Sequence, residues 1–347
     1  MNFTTPALFQ PGGSGRAENR APPYIGVTGF TGKNDIESAV DAYFSSSDTG
    51  STHDFMAGIL VSHHGLQKDG VLPRYPARYP PVDQIPDLLD AIKSAGGRRV
   101  IAAVHYNTKN PRLFNDTEML FDVIGGAIDA IQFNVGFIPD MREIEKIKGY
   151  HRLVKIIAQI NSTIMRERGS RSAAAAVSSI PVDHVLIDPS GGKGKDIDVD
   201  HSIGIYKVLS GKTSACIGFA GGFGPENIEE RTREYVKKTG TVRFSIDAEG
   251  KMRDPATDAM DIEKVAAYIR GFSGVSRDDE NGYQARWILD DERTNQCPAA
   301  RAVGNKEEID AIDEGTSQNA PGNLNSFYLD YSTRSGSSAC LFFRERA

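Results

Sequence analysis

Short apolar runs alternate with amphipathic stretches through most of this 347-residue chain. Each run is partly β-branched or aromatic and is bounded by turn residues, which is typical of buried strands. The stretches between the runs carry helical patterns, as in residues 35–43 and 262–269. The eight runs are residues 24–28, 55–61, 99–106, 129–135, 153–160, 183–188, 214–219 and 241–246.

Eight β-then-α units in about 250 residues predict a TIM-type (β/α)8 barrel. A doubly wound open sheet is the alternative, because it has the same alternation of strands and helices. An open sheet of that kind favours a glycine fingerprint after the first strand. Gly26 and Gly29 are present there, but their spacing does not fit the fingerprint. The barrel is therefore the favoured fold class.

The two ends of the chain differ in composition from the middle. Residues 1–22 are rich in Pro, Gly, Asn and Arg and show no sustained period, which predicts a flexible lead. Residues 275–347 are polar with a few apolar islands, too few for a robust separate core. We expect an extension that packs on the barrel and is partly disordered. The barrel itself is assigned to residues 23–274.

Charge and cysteine usage narrow the possible partners. The formal net charge is −6 with acids and bases interspersed, which argues against a nucleic-acid-binding surface. No apolar run could span a membrane, and the first residues lack a basic-then-apolar signal pattern. The three cysteines are far apart and form neither a metal-ligand spacing nor a disulfide framework. We expect a cytoplasmic monomer or homodimer without membrane or nucleic-acid partners.

Two glycine-rich turns follow the sixth and seventh apolar runs, and the first of these runs ends on Asp188. Glycines let the backbone approach a ligand closely, and the amides at a helix start point at anions. Turns at these two units predict the phosphate end of a barrel site, with the carboxylate of Asp188 beside it. Ordinary flexible loops and a strand-end salt bridge are the alternatives. The glycines are Gly191, Gly192, Gly194, Gly221 and Gly222.

A series of short segments in a fixed order covers residues 24–272. It includes Gly26-Val-Thr-Gly-Phe-Thr31, Pro76-Ala-Arg-Tyr-Pro80, Val104-His-Tyr-Asn107, Ile131-Gln-Phe-Asn134 and Ala220-Gly-Gly222. In their order and spacing, these segments resemble phosphoribosylanthranilate isomerase, a (β/α)8 enzyme. No single segment is specific to that family, whereas the series, in this order and spacing, is specific to it.

The resemblance implies an Amadori rearrangement. In that reaction a general acid protonates the ribose ring oxygen, the ring opens to a Schiff base, and a general base removes the proton at C2. The resemblance implies that Asp188 is the acid and that Arg78 holds the aglycone or its carboxylate. It also implies that Gly250 in the eighth-strand turn contacts a phosphate, and that the ligand is a small phosphorylated sugar. No cofactor is expected.

The base of the reaction is where this chain departs from the family. The first-strand Cys of the family falls on Thr28, and a threonine hydroxyl cannot act alone as a base. Asp247 and His105 are the candidate replacements, and either Ser245 or Asp247 is expected to face the pocket. Thr28 is then expected to hydrogen-bond the ligand or merely to line the pocket.

Three further possibilities stay open. Without a base, ring opening would leave a Schiff base exposed to water, which would make the chain an N-glycoside hydrolase. A second possibility is a barrel that kept phosphosugar binding and lost catalysis. A metal site formed by His63, His64 and His105 with Asp188 is disfavoured, because no ligand spacing supports it, and we expect no metal.

Overall fold

The computed structural model describes residues 21–46, 52–190, 198–290, 327–332 and 340–345, with the side chains of those up to residue 277. Eight parallel strands close into a barrel in sequence order, and the eighth strand pairs with the first. A closed barrel has no sheet edge, so the predicted (β/α)8 class is confirmed and the open sheet is excluded. The strands are β1 (Tyr24–Thr28), β2 (Asp54–Ser62), β3 (Val100–Asn107), β4 (Ala130–Asn134), β5 (Lys155–Asn161), β6 (His184–Asp188), β7 (Cys216–Ala220) and β8 (Ser245–Ala248).

Helices connect the strands and cover the outside of the barrel. Their ends carry the expected local signals: Asp140 accepts a hydrogen bond from the backbone nitrogen of Arg142, and Gly125 ends a helix with a φ of 77°. The helices of the described part are α1 (Lys33–Ser46), α2 (His63–Gln67), α3 (Ile85–Gly96), α4 (Leu113–Ile124), α5 (Met141–Tyr150), α6 (Ser162–Arg168), α7 (Ser170–Val177), α8 (Val199–Ser210), α9 (Ile228–Thr239) and α10 (Ile262–Asp290).

The predicted strand positions agree best at the start of the barrel and least at its end. β1 coincides with the predicted run 24–28, whereas β8 begins four residues after the start of the predicted run 241–246. Val242 and Phe244 are buried, but they lie in a turn in which the Phe244 nitrogen donates to the Val242 carbonyl over 2.7 Å. Apolarity at these residues therefore reflects burial and not strand pairing.

The interior of the barrel changes from apolar to polar along the strands. Side chains alternate between the barrel interior and the layer beneath the helices, because strand side chains have a period of two. The apolar interior cluster is Tyr24, Met56, Ile101, Ala103, Ala130, Ile157, Leu186 and Ala220. Polar side chains such as His105, Gln132 and Asp188 follow nearer the carboxyl ends of the strands. The apolar cluster forms a dry floor beneath these groups.

The chain divides into two compact units, residues 1–277 and 278–347. In the second unit, β9 (Phe327–Ser332) pairs antiparallel with β10 (Cys340–Glu345). The predicted lead lies outside the described residues except for residues 21 and 22. None of the helices in the described ranges combines the length and apolar character needed to cross a membrane.

Candidate functional site

A cavity of about 430 Å³ opens at the carboxyl ends of the barrel strands. Residues of β2 to β8 line it, together with residues 73–79 of the connection that follows β2. In (β/α)8 enzymes this end of the barrel carries the active site, so the cavity is the candidate functional site.

The predicted site residues converge on this cavity with few exceptions. Seven of them line it: Asp188, His105, Asp247, Arg78, Gly221, Gly222 and Gly250. Thr28 is fully buried, and its hydroxyl contacts Asp247 and His105. Gly191, Gly192 and Gly194 lie outside the described residues.

Asp188 is the last residue of β6 and is 5% exposed. One carboxylate oxygen accepts hydrogen bonds from the nitrogen and the hydroxyl of Ser190, over 3.0 and 2.7 Å. The other accepts a hydrogen bond from Nε2 of Gln159 over 2.9 Å. Three donors thus fix the position of this carboxylate.

Asp247 lies in β8 and is 7% exposed. Burial raises the pKa of its carboxyl group to about 8, and the nearby charges of Glu249 and Asp188 contribute in the same direction. The hydroxyl of Thr28 donates to Oδ1 of Asp247 over 3.0 Å, which opposes the rise without cancelling it. Asp247 therefore keeps its proton through neutral pH.

His105 also contacts Thr28. Its ring nitrogens lie 3.3 Å from Oγ1 of Thr28, and burial lowers the pKa of the imidazole to about 3. A neutral imidazole whose conjugate acid is this strong is a weak base. Ser245 lies deeper, where its hydroxyl accepts a hydrogen bond from the Tyr24 nitrogen. Of the pair Ser245 and Asp247, only Asp247 lines the cavity.

Arg78 ends a short 3₁₀ turn in the connection after β2 and is buried. Its Nε and Nη2 donate to the carboxylate of Asp258, and its Nη1 donates to Oε1 of Glu249 over 2.7 Å. The guanidinium also lies 4.1 Å from the ring centroid of Tyr75. Burial alone would lower the pKa of Arg78, but the two carboxylates outweigh it and raise that pKa. Arg78 thus already has two anionic partners.

The turn after β7 depends on glycine. Gly221 and Gly222 have φ values of 92° and 68°, which side-chain-bearing residues rarely adopt. A Cβ at Gly221 would lie 2.7 Å from Oδ1 of Asp188 and would also collide with the Ser190 hydroxyl. The backbone nitrogens of Gly222, Phe223 and Gly250 donate no hydrogen bond to any residue in the described ranges. These amides are therefore available to an anion at the ends of β7 and β8.

Several residues of the site were not among the site residues predicted from the sequence. Gln159 and Ser190 hold Asp188, whereas Glu249 and Asp258 hold Arg78. One signal was available, because the pattern Gln-x-Asn occurs in both β4 and β5 and places two carboxamides on the same strand face.

The described residues contain no group of three or more His, Cys, Asp or Glu side chains able to hold a metal ion. His63 lies 2.9 Å from the hydroxyl of Tyr106 and 3.2 Å from Asp116. His64 pairs instead with Asp69. The partners of His63 thus lie in β3 and α4, and the partner of His64 lies just after α2.

No protein-family model matches the sequence, and no curated protein matches it. Among solved structures, TrpF from Jonesia denitrificans is 16% identical with a TM-score of 0.47, over 73% of this chain and 98% of that chain. Tryptophan synthase from M. tuberculosis, in its aminoacrylate-bound form, is 16% identical with a TM-score of 0.46, over 74% and 95%. Orotidine 5'-monophosphate decarboxylase from Methanocaldococcus jannaschii is 9% identical with a TM-score of 0.43, over 73% and 98%. Such similarity concerns the fold and indicates no particular reaction.

Proposed function

We propose that this chain is an isomerase that opens the ring of a phosphorylated ribose N-glycoside and moves a proton from its C2. The observation that carries the proposal is the pair of carboxyl groups at the ends of β6 and β8, with β7 between them. Hydrogen-bond donors surround Asp188, whereas an apolar and anionic environment surrounds Asp247. Two carboxyl groups in such opposed environments are suited to act as base and acid of one reaction.

The proposal gives the acid role to Asp247, which reverses the role that the resemblance implied for Asp188. The proton of Asp247 goes to the ring oxygen, the bond between C1 and that oxygen breaks, and the nitrogen lone pair forms a C1=N bond. Asp188 then takes the proton from C2, and the electrons of that C–H bond form C1=C2 and neutralise the nitrogen. The resulting enol tautomerises to the 2-keto amine.

The spacing of the two carboxyl groups suits this reaction. Neighbouring strands lie about 4.8 Å apart, so two strand spacings separate the backbones of Asp188 and Asp247 by about 10 Å. Side chains that reach inward from these positions can contact opposite edges of one furanose ring. Thr28 acts as a positioning residue, because its hydroxyl holds Oδ1 of Asp247.

The phosphate of the substrate is assigned to the turns after β7 and β8. The amides of Gly222, Phe223 and Gly250 supply donors there, and backbone amides at turns bind phosphate without a dedicated cation. The carboxylate of Glu249 would oppose an anion at this end of the cavity. Its ion pair with Arg78 offsets that repulsion.

The test is an isomerisation assay on the full chain. The substrates are the adducts that ribose 5-phosphate forms with 2-aminobenzoate and with its neutral amide, 2-aminobenzamide, and the product of each is the 2-keto amine, separated by chromatography. We expect turnover by the unaltered chain. Asp188→Asn should lower kcat by roughly 10²- to 10⁴-fold, the range for loss of a general acid or base. The affinity for the reductively aminated adduct, which cannot react, should change by less than about threefold.

Asp87→Asn, in an exposed ion pair with Lys33, is the control and should leave kcat unchanged. If the unaltered chain binds the reduced adduct but neither it nor any variant converts the substrate, the result would contradict an isomerase and favour a phosphosugar-binding barrel. Release of ribose 5-phosphate and free amine, faster than in buffer and dependent on Asp188, would favour an N-glycoside hydrolase.

A further inference from the structure

One wall of the cavity consists of carboxamide side chains. Three asparagines are the last residues of β3, β4 and β5, and two glutamines precede the second and third of them by two positions, on the same strand face. All five residues line the cavity. We call this set the carboxamide wall: Asn107, Gln132, Asn134, Gln159 and Asn161.

Internal hydrogen bonds use part of the carboxamide wall and leave part of it open. Asn161 is fully used, because its oxygen accepts from the backbone at the start of α6 and its nitrogen donates to the Val135 carbonyl. The amide nitrogen of Gln132 donates to Oδ1 of Asn134, and that of Gln159 donates to Asp188. Nδ2 of Asn134 and Oε1 of Gln159 have no hydrogen bond to another described residue. Oε1 of Gln132 is also buried without a hydrogen-bond partner among the described residues, so the wall offers a ligand both a donor and acceptors.

The cationic groups around the cavity are poorly placed for an acid that binds against this wall. Arg78 is buried but is engaged by Glu249 and Asp258, and Lys251 pairs with Glu226. Arg74 and Arg166 are exposed. Among the residues that the structure describes, a carboxylate at the wall would thus find no buried cation that is not already paired. Burial of an unpaired charge is costly, whereas a neutral amide can donate and accept at the same place.

We propose that the aglycone of the substrate is a neutral group with both a hydrogen-bond donor and an acceptor, as in an aromatic carboxamide, and not a carboxylic acid. The inference rests on the proposed function, because the aglycone and the ribose phosphate belong to one substrate. Asn134 donates to the aglycone carbonyl, and Gln159 accepts from the aglycone N–H. The sugar ring lies between Asp188 and Asp247.

The experiment compares two ligands that differ only at this group. Ribose 5-phosphate is joined by reductive amination to 2-aminobenzamide or to 2-aminobenzoate, and the affinity of the full chain for each adduct is measured by calorimetry. We expect the amide adduct to bind about tenfold more tightly or better, because the acid loses a donor and leaves a charge unpaired. Equal affinities, or tighter binding of the acid adduct, would overturn the inference.

Two substitutions at Asn134 test whether this residue causes the preference for the amide adduct over the acid adduct. Asn134→Leu removes the donor, and Asn134→Asp removes it with almost no change in size, so a folding defect of one variant does not decide the result. Both should weaken binding of the amide adduct, so that its preference over the acid adduct falls below about threefold. An unchanged preference in a folded variant would contradict a role for the carboxamide wall.

Arg166→Gln is the matched control, because Arg166 lines the same cavity but is exposed. It should leave the preference for the amide adduct unchanged. Tighter binding of the acid adduct that disappears in Arg166→Gln would overturn the inference in favour of an acidic aglycone. Turnover assays with the unreduced adducts separate the two proposals. Isomerisation of the acid adduct alone retains the proposed function and removes this inference, whereas turnover of neither adduct removes the proposed function.

Discussion

The wall of the cavity formed by β6 to β8 carries ionisable groups and glycines, whereas the wall formed by β3 to β5 carries carboxamides beside the neutral imidazole of His105. Both walls use the inward-facing positions at the carboxyl ends of parallel strands. In the first wall, the charge of Asp188 helps to raise the pKa of the buried carboxyl group of Asp247. Carboxamides can orient a ligand with no change of charge. The difference suggests one wall for proton transfer and one for recognition, and the variants below test that division.

Asp247→Asn is expected to have the largest effect, because it removes the carboxyl group that is proposed to protonate the ring oxygen. We predict a loss in kcat of about 10²- to 10⁴-fold with little change in the affinity for the reduced amide adduct. In the unaltered chain the active form of Asp247 is protonated, so kcat should be lost as pH rises through about 8. The measurement is kcat against pH between pH 5 and 9. A high-pH limb that persists in an active Asp247→Asn variant would assign that limb to another group.

The same substitution should also change how the stability of the fold depends on pH. The pKa of Asp247 rises from 3.8 to about 8 on folding, so its proton stabilises the fold fully below about pH 4, and that contribution is lost as pH rises to about 8. Across this window the unaltered chain should lose on the order of 5 kcal/mol relative to Asp247→Asn. Urea denaturation of both proteins at pH 5 and pH 8 measures the change. A pH-independent difference would show that Asp247 ionises normally.

Gly221→Ala should have an intermediate effect on activity, because its Cβ would displace Asp188 and Ser190. Gly240→Ala is its matched control: both glycines have positive φ, 92° and 75°, but a Cβ at Gly240 meets no atom within 4 Å. Both variants should lose about 1–2 kcal/mol of stability from backbone strain. Only Gly221→Ala should lower kcat, by roughly tenfold to a hundredfold. Equal kcat values in the two variants would mean that the position of Asp188 is unimportant.

Arg78→Lys should have the smallest effect, because Arg78 belongs to neither wall and connects the segments that follow β2 and β8. A lysine keeps the charge but cannot contact Asp258 and Glu249 with a fork of donors. We predict that KM rises by about threefold to tenfold while kcat stays within about twofold. A collapse of kcat, with KM unchanged, would instead assign Arg78 a part in the chemical step.

The sequence predicted the barrel well because burial of parallel strands and amphipathic helices leaves a local pattern. It predicted Asp188 because the residue ends an apolar run, and strand ends share one face of the barrel. The partners of Arg78 left no local pattern, since Glu249 and Asp258 are 171 and 180 positions away. The raised pKa of Asp247 depends on its burial, which β8 and β1 create together, and on the neighbouring charges. A one-dimensional pattern therefore placed this carboxylate near the site but could not indicate its raised pKa.

The most direct test of the proposed reaction follows the C2 proton. Ribose 5-phosphate carrying deuterium at C2 is converted to its amine adducts, and the full chain and Asp188→Asn are compared in ordinary water by NMR and mass spectrometry. The account predicts that the unaltered chain forms the 2-keto amine and releases the deuterium to solvent, and that Asp188→Asn does neither at a comparable rate. No enzymatic loss of deuterium from C2 with any adduct, or undiminished loss in Asp188→Asn, would contradict it.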